Sequence, residues 1–195
     1  MKIAYRVALI GAALPFVITS AIANETYKFD QAHSTIGFKV RHFLGAAVGK
    51  FRQFDGTIEL DRDRPENSSV TARIAARSID TGIAKRDDHL RSSEFFDAAK
   101  FPEIRFKSRN VKKTGPQSGD ITGDLTMHGV TRPITLHVKL LSPAAGDLKQ
   151  SHWQVTTEPL KRRDFGLMFG TTAETVSGIG QEVTINIDIN AVRAQ

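Results

Sequence analysis

The sequence predicts an all-β fold, an antiparallel barrel of about eight strands with a short helical insertion near residues 81–98. Three observations carry this prediction. Apolar and polar residues alternate with a period of two along most of the chain. Short sequences rich in Gly, Pro, Asn and Asp separate the alternating stretches, as turns require. Around residues 81–98 the alternation stops, and charges recur at the spacing of a helix surface.

The N-terminus has the composition of a secretory signal peptide over residues 1–23. Lys2 and Arg6 form a basic start, an uncharged apolar stretch follows, and Ala21-Ile22-Ala23 matches the small-x-small pattern of a cleavage site. We therefore expect the mature chain to begin at Asn24. An uncleaved membrane anchor is the alternative, but the uncharged run falls short of the roughly 20 strongly apolar residues that a span needs.

The predicted mature chain, residues 24–195, is long enough for one domain with a sizeable core. The whole chain carries a formal charge of +6, and the signal segment holds two of its cations and no acids, so the mature charge is +4. Because these cations are dispersed, we expect no nucleic-acid partner. The chain has no cysteine, which excludes disulfides and thiolate metal sites. We also expect no stable membrane insertion of the mature chain.

The alternating stretches predict the strands in chain order. They are residues 27–30, 35–41, 54–60, 70–77, 104–109, 121–128, 134–140, 153–158 and 183–190. The first is a short edge and the stretch at 153–158 is the weakest. Each has one apolar and one polar face, which favours antiparallel pairing, because parallel strands are apolar on both faces.

A closed barrel is the architecture that best suits these strands, since closure removes the exposed edges of a sheet. A two-sheet sandwich is the structural alternative. Outer-membrane barrels also alternate, but they carry aromatic girdles. The chain has only two Tyr and one Trp, which disfavours a membrane barrel.

The insertion at residues 81–98 is expected to be irregular and partly helical, ending at Phe101-Pro102. Asp87 and Arg91 are spaced to pair on a helix surface. Ser93 is placed to cap a short turn that begins at Glu94. A second irregular stretch, predicted as a long loop, covers residues 164–180.

Charged and histidine residues offer one candidate for acid–base chemistry, the run Arg86-Asp87-Asp88-His89. Carboxylates beside cations have lowered pKa values, which favours a polar network that pins the insertion to the barrel over a general acid. The run at 161–164 is interpreted in the same way, as a charged strand end. No two of the six histidines have a metal-ligand spacing on one helix, so we expect structural roles for them and no metal.

Phenylalanine is the unusual component, with twelve residues in the chain. Large rings without polar groups suit an ordinary core, but a barrel of eight strands either fills with side chains or holds one ligand. The small residues Gly56, Ala72, Ala76 and Gly123 on the inward faces are expected to leave room for a ligand. Composition alone leaves both options open.

Six segments, in order and spanning nearly the whole mature chain, resemble one family. They are D-Q-A-H-S-T-I-G-F-K-V-R-H (30–42), G-K-F-R-Q-F-D-G-T-I (49–58), S-I-D-T-G-I-A-K-R-D-D-H-L-R-S-S-E-F-F-D (78–97), F-P-E-I-R-F-K-S (101–108), G-D-L-T-M-H-G-V-T-R-P-I-T-L (123–136) and R-R-D-F-G (162–166). The chain resembles the YceI-like, lipocalin-like family of exported bacterial polyisoprenoid-binding proteins. Residues 44–48 and Arg163 depart from the pattern and are expected to be loop variations.

The resemblance implies a periplasmic, lipocalin-like carrier with an elongated apolar tunnel for a polyprenyl chain or an isoprenoid quinone, with no other cofactor and no catalytic step. The expected lining residues are Phe38, Val40, Ile58, Ile74, Phe96, Phe106, Leu125 and Leu136. Arg41, His42, Arg86 and Arg162 are candidates for contacts with a polar head group.

Two other functions stay open from the sequence. One is a lipid hydrolase or isomerase that uses His89 with Asp87 or Asp88. The other is a non-enzymatic partner of a membrane complex, with a barrel filled by its own side chains.

Overall fold

The computed structural model describes residues 25–142, 149–168 and 178–194. The predicted signal peptide lies outside the described residues. Twelve β-strand segments and one α-helix form this part of the chain. They are β1 (Glu25–Phe29), β2 (Thr35–His42), β3 (Gly45–Phe51), β4 (Phe54–Leu60), β5 (Ser69–Ala75), β6 (Ile79–Asp80), α1 (Ala84–Arg91), β7 (Glu103–Gly115), β8 (Ser118–Met127), β9 (Val130–Ser142), β10 (Gln150–Thr157), β11 (Leu160–Lys161) and β12 (Glu182–Arg193). No helix in these residues is long and apolar enough to cross a membrane.

Eight of these strands close into an antiparallel barrel. The ring runs β1-β4-β5-β7-β8-β9-β10-β12 and returns to β1. The closing contact is the pairing of Tyr27 with Arg193 and of Phe29 with Ala191. The prediction of an antiparallel barrel of about eight strands is therefore confirmed, and the sandwich alternative is wrong.

Three long strands of the barrel wall are interrupted, which explains why more than eight segments are present. Short non-strand segments interrupt these strands between β1 and β2, between β3 and β4, and between β5 and β6. Hydrogen bonds connect these interruptions to each other. Arg52 N donates to the Ser78 carbonyl at 3.0 Å, and Phe54 N donates to Oε1 of Gln31 at 3.1 Å. β1 and β2 both pair with β12, so they act as two halves of one wall strand.

Residues 45–51 form strand β3, although the sequence predicted a loop variation over residues 44–48. β3 pairs with β2 from Phe51 back to Gly45, and only its last two residues pair with β6. The segment G-A-A-V-G-K-F is made mostly of small residues, so it has no contrast between an apolar and a polar face. Period-two alternation cannot detect such a strand.

The helical insertion is confirmed at α1, with corrections to two of its local contacts. Arg91 pairs with Asp88 at 3.0 Å rather than with Asp87. The Oγ of Ser92, rather than Ser93, accepts the hydrogen bond from Glu94 N at 3.3 Å. The segment that follows α1 packs Phe96 edge-on against Phe51, with ring centroids 6.0 Å apart. The insertion thus covers the barrel wall beyond β6.

The barrel has two ends, which we name by their contents. The mouth end contains the start of β1, the β4–β5 connection (residues 61–68), the turn Pro116-Gln117 and the end of β12. The hairpin end contains the β2–β3 turn Phe43-Leu44, α1 and the 3-10 turn at Arg162–Phe165.

Candidate functional site

An apolar cavity of about 420 Å³ lies inside the barrel. Every strand of the ring contributes inward side chains to its wall, although β1 contributes only Phe29. Side chains from β2, β3 and α1 also form part of the wall. The inward side chains of β9 and β10, such as Ile134, Leu136, Val138 and Trp153, are only half-buried although they face inward. They pack against the buried core and also border the empty space of the cavity.

All eight residues that the sequence selected as lining border this cavity. They are Phe38, Val40, Ile58, Ile74, Phe96, Phe106, Leu125 and Leu136. Seven of them belong to strands, where the two-residue period places alternate side chains on the same face. Their contact with a lipid stays a prediction.

Two of the small inward residues do not provide the free space that the sequence predicted. A Cβ at Gly56 would lie 2.2 Å from the ring of Phe29, and a Cβ at Gly123 would lie 2.6 Å from the ring of Phe106. A third ring, that of Phe38, covers Gly49 at 2.4 Å in the same way. These glycines therefore make room for neighbouring phenylalanines, and those phenylalanines rather than the glycines line the cavity.

The cavity reaches solvent at the mouth end. Of its lining residues in the described part of the chain, four are exposed: Arg62, Lys113, Pro116 and Gln117. Arg62 belongs to the β4–β5 connection, Lys113 to the end of β7, and Pro116 and Gln117 to the turn between β7 and β8. The connection packs against β7, so the two rim segments are neighbours. The rim is polar and carries two cations.

Arg62 is held in place at the rim by two hydrogen bonds. Its Nε donates to Oε2 of Glu25 at 2.8 Å, and its Nη2 donates to the Tyr27 hydroxyl at 3.0 Å. The Tyr27 hydroxyl in turn donates to Glu25 at 2.8 Å, and Tyr27 is only 1% exposed. Arg193 adds an ion pair to Glu25 at 3.5 Å. A buried ring therefore fixes the position of an exposed guanidinium.

This network shifts the pKa values of its members in opposite directions. Burial raises the pKa of Glu25, but the hydrogen bonds from Tyr27 and Arg62 and the charges of Arg62 and Arg193 outweigh it, so the pKa is lowered. Burial and the hydrogen bond to Glu25 raise the pKa of Tyr27. At neutral pH the network holds a carboxylate, a neutral phenol and two guanidinium groups.

Asp61 is the carboxylate that lines the mouth, and its oxygens are used internally. It is 4% exposed. Its Oδ1 accepts from Arg64 N at 2.8 Å and from Asp63 N at 3.1 Å, and Oδ2 accepts from Nδ2 of Asn67 at 3.2 Å. The backbone hydrogen bond from Arg64, together with the other contacts, lowers the pKa of Asp61. Asp61 therefore shapes the β4–β5 connection.

The hairpin end of the cavity is closed by a second arginine. Arg162 lines the cavity and is 4% exposed. Its Nε donates to the Gly180 carbonyl and its Nη1 to the Leu167 carbonyl, both at 2.9 Å. The buried residues Phe165 and Leu167 flank it. The sequence interpretation of this segment as a charged strand end fits the exposed Lys161, Arg163 and Asp164 at the end of β11. Arg162 departs from it, because it lines the cavity and organises the end of the barrel.

Comparison with known proteins identifies the family. A family model described as the YceI-like domain matches residues 27–191. The chain belongs to the YceI-like family. Protein YceI of Salmonella arizonae is 40% identical over 164 residues, which cover 75% of this chain and 84% of that protein.

Solved structures of similar fold agree with this assignment. The Campylobacter jejuni YCEI protein has a TM-score of 0.64 and 28% identity, with 85% of this chain and 96% of that chain covered. Burkholderia cenocepacia BcnA has a TM-score of 0.76 at 24% identity over 84% of this chain and 99% of that one. A polyisoprenoid binding domain from Saccharophagus degradans, implicated in plant cell wall breakdown, has a TM-score of 0.65 at 17% identity, with 86% and 98% covered.

In this YceI-like barrel, three of the four head-group candidates lie away from the cavity lining. Arg41 is exposed on the outer side of β2, and His42 is next to the hairpin turn. The Nε of Arg86 donates to Oγ1 of Thr81 at 2.8 Å, and its Nη2 donates to the Thr81 carbonyl at 3.1 Å. The fourth candidate, Arg162, lines the cavity but directs donors to backbone carbonyls.

The candidate acid–base residues of the insertion, Asp87, Asp88 and His89, each make a structural contact. Oδ1 of the buried Asp87 accepts from Thr81 N at 2.9 Å and from Thr81 Oγ1 at 2.5 Å. Asp88 pairs with Arg91, and His89 pairs with Glu94 at 2.8 Å. These contacts fit the polar network that the sequence favoured. The described residues contain no cluster of three or more His, Asp or Glu side chains that could hold a metal ion.

The sequence analysis missed the rim residues Arg62, Lys113 and Gln117. All three lie near turn signals, Pro65-Glu66-Asn67 and Thr114-Gly115-Pro116. A signal was present, because cations beside turns at the same end of a barrel are candidates for its rim. Using that signal requires knowing which turns share the open end.

Proposed function

We propose that this protein is an exported, periplasmic carrier that holds a long isoprenoid-type lipid, a polyprenyl chain or the tail of an isoprenoid quinone, without a covalent step. The observation that carries the proposal is the apolar cavity that extends from an exposed rim to a closed inner end within a YceI-like barrel. The polyisoprenoid binding domain of similar fold supports the choice of ligand class.

The energetics of such a cavity suit a long hydrocarbon chain. Each CH₂ group moved from water into an apolar site contributes about 0.8 kcal/mol. A chain of several isoprene units therefore gains enough to offset the ordering of the chain and the loss of its free movement. No hydrogen bonds are needed along its length, in agreement with the scarcity of polar residues in the middle of the cavity.

The empty space favours a carrier over the alternative of a partner protein with a filled barrel. A filled barrel would bury the inward residues of β9 fully, whereas Ile134, Leu136 and Val138 remain half-buried. The alternative of a hydrolase or isomerase gains no support, since Asp87 and Asp88 already serve Thr81 and Arg91.

A matched pair of variants tests whether the cavity holds the ligand. Val138→Trp places a large ring into the cavity, whereas Lys139→Trp places the same ring on the outer face of the same strand. We expect Val138→Trp to lower the affinity for farnesol at least tenfold and Lys139→Trp to leave it within about twofold, because only the first fills cavity space that the ligand would occupy.

Native mass spectrometry of protein purified without detergent, followed by lipid extraction, provides the direct measurement. A bound isoprenoid in the wild type that is lost in Val138→Trp supports the carrier. Equal lipid content in both variants, with both folded by circular dichroism, contradicts it. A protein that carries no lipid and takes none up is the outcome expected of the filled-barrel partner.

A further inference from the structure

The mouth of the cavity is chemically unlike the rest of its wall. Where the middle of the cavity is lined by apolar side chains, the exposed rim holds a guanidinium, an ammonium and a side-chain amide, from Arg62, Lys113 and Gln117. A neutral hydrocarbon needs none of these groups. Their position at the point where the head of a bound lipid would emerge indicates a second element of recognition.

Arg62 is prepared to bind an anion. Two of the five N–H groups of its guanidinium are used on Glu25 and Tyr27, and these bonds fix its orientation. Its other N–H groups make no hydrogen bond to the described residues, and Arg62 lines the mouth of the cavity. Because the side chain is already ordered, it loses less entropy than a free surface arginine when it binds a ligand.

Lys113 supplies a second cation from the opposite segment of the rim. It is exposed, it lines the cavity, and its side chain has no ion pair or hydrogen bond within the part of the chain that the structure describes. Its neighbour Lys112 is also exposed but is not part of the lining. The alternation along β7 therefore places one lysine at the mouth and the next on the outer face.

Among the described residues that line the cavity, Asp61 is the only carboxylate; the exposed Asp63 and Glu66 lie in the same β4–β5 connection but outside the lining. Asp61 lines the mouth, but its oxygens accept hydrogen bonds from Asp63, Arg64 and Asn67. Glu25 is paired with Arg62 and Arg193 and is not part of the lining. The free hydrogen-bonding capacity of the rim is thus mostly that of donors.

We propose that the rim formed by Arg62, Lys113 and Gln117 binds the anionic head of a prenyl phosphate or diphosphate whose chain occupies the cavity. This inference rests on the carrier function and narrows it. Phosphate oxygens accept charge-assisted hydrogen bonds from guanidinium and ammonium groups, which are stronger than those that a hydroxyl or quinone oxygen accepts. The protein therefore distinguishes lipids with the same chain by their head groups.

Farnesyl diphosphate and farnesol test the proposal, since they share one chain and differ in the head. Trp153 is the only tryptophan and it lines the cavity, so its fluorescence reports binding of both lipids. We expect the wild type to bind the diphosphate about tenfold or more tightly than the alcohol at low salt. We expect added salt to reduce that preference, since the rim is exposed.

Three variants separate the rim from general effects. Lys113→Gln and Arg62→Gln should each weaken diphosphate binding about fivefold and leave farnesol binding within about twofold, in keeping with a charge–phosphate contact at the surface. Lys112→Gln makes the same change of charge one residue away, and both lipids should bind it as they bind the wild type. Unchanged farnesol binding also shows that each variant is folded.

Several outcomes overturn the proposal. Equal affinity of the wild type for the two lipids contradicts a head-group site and leaves the carrier function standing. An equal loss in Lys112→Gln shows that only the overall charge matters, and a loss of both lipids in Lys113→Gln shows a structural role. If the wild type binds neither lipid, the carrier proposal fails together with this one.

Discussion

The two arginines that line the cavity occupy its opposite ends and use their donors in opposite ways. Arg162 is buried and donates to the carbonyls of Leu167 and Gly180, so it belongs to the closed end of the barrel. Arg62 is exposed and is oriented by Glu25 and Tyr27, which lie outside the cavity lining.

This difference shows that the role of a lining arginine depends on its acceptors. Backbone carbonyls of a loop give a guanidinium a structural role, because the loop cannot keep its conformation without the donors. A side-chain carboxylate and a phenol orient the exposed Arg62 guanidinium and use only two of its five N–H groups. One cavity thus has a sealed end and a receptive end built around the same residue type.

The largest expected effect is at the sealed end. Arg162→Met should lower the free energy of unfolding by about 3 kcal/mol, because it leaves the buried Leu167 carbonyl and the partly buried Gly180 carbonyl without this donor, and each such group costs about 1–3 kcal/mol. The measurement is urea denaturation followed by Trp153 fluorescence and by circular dichroism.

Arg62→Met is the control for that experiment. It removes an exposed guanidinium that pairs with Glu25, and Glu25 retains contacts with Tyr27 and Arg193. We expect a loss of about 1 kcal/mol or less. If the two arginine variants were equally destabilised, the distinction between a sealed and a receptive end would be wrong.

An intermediate effect is expected at Glu25, with a defined pH dependence. The folded-state pKa of Glu25 lies below its ordinary value of 4.5, so the carboxylate contributes stability above about pH 4.5, and this contribution is lost as the pH falls through the lowered pKa. Glu25→Gln should therefore cost about 1–2 kcal/mol at pH 7 and progressively less below pH 4.5.

Urea unfolding curves at several pH values between 3 and 7 measure this dependence. Glu66→Gln serves as the matched control, since Glu66 is exposed in the same β4–β5 connection. A difference between wild type and Glu25→Gln that stayed constant down to pH 3 would contradict the network at the mouth.

The smallest effect on stability is expected at the tip of the hairpin. Phe43 and Leu44 are 87% and 89% exposed, although they are large and apolar. The double substitution Phe43→Ser and Leu44→Ser should change the free energy of unfolding by no more than about 0.5 kcal/mol, since no core packing is lost. Thermal unfolding checks this, and a clear loss would show that the tip packs on the sealed end.

The sequence predicted the wall of the cavity better than its ends, for a physical reason. A strand places Phe106 and Leu125 on one face by a local rule, so alternation alone selects lining residues. The ring of Phe29 over Gly56 comes from a neighbouring strand, and no local rule reveals it. Which cations meet at an end depends on the pairing of all strands, so Arg41 was selected for the head group and Lys113 was not.

The closing contact of the barrel has a consequence for how the molecule is made. Tyr27 pairs with Arg193, so the first strand of the described chain meets the last. Such a contact closes nearly the longest loop the chain allows, and pairing across large sequence separations slows folding. Until β12 is available, neither the ring nor its cavity exists. The cavity therefore forms only once β12 has joined the ring.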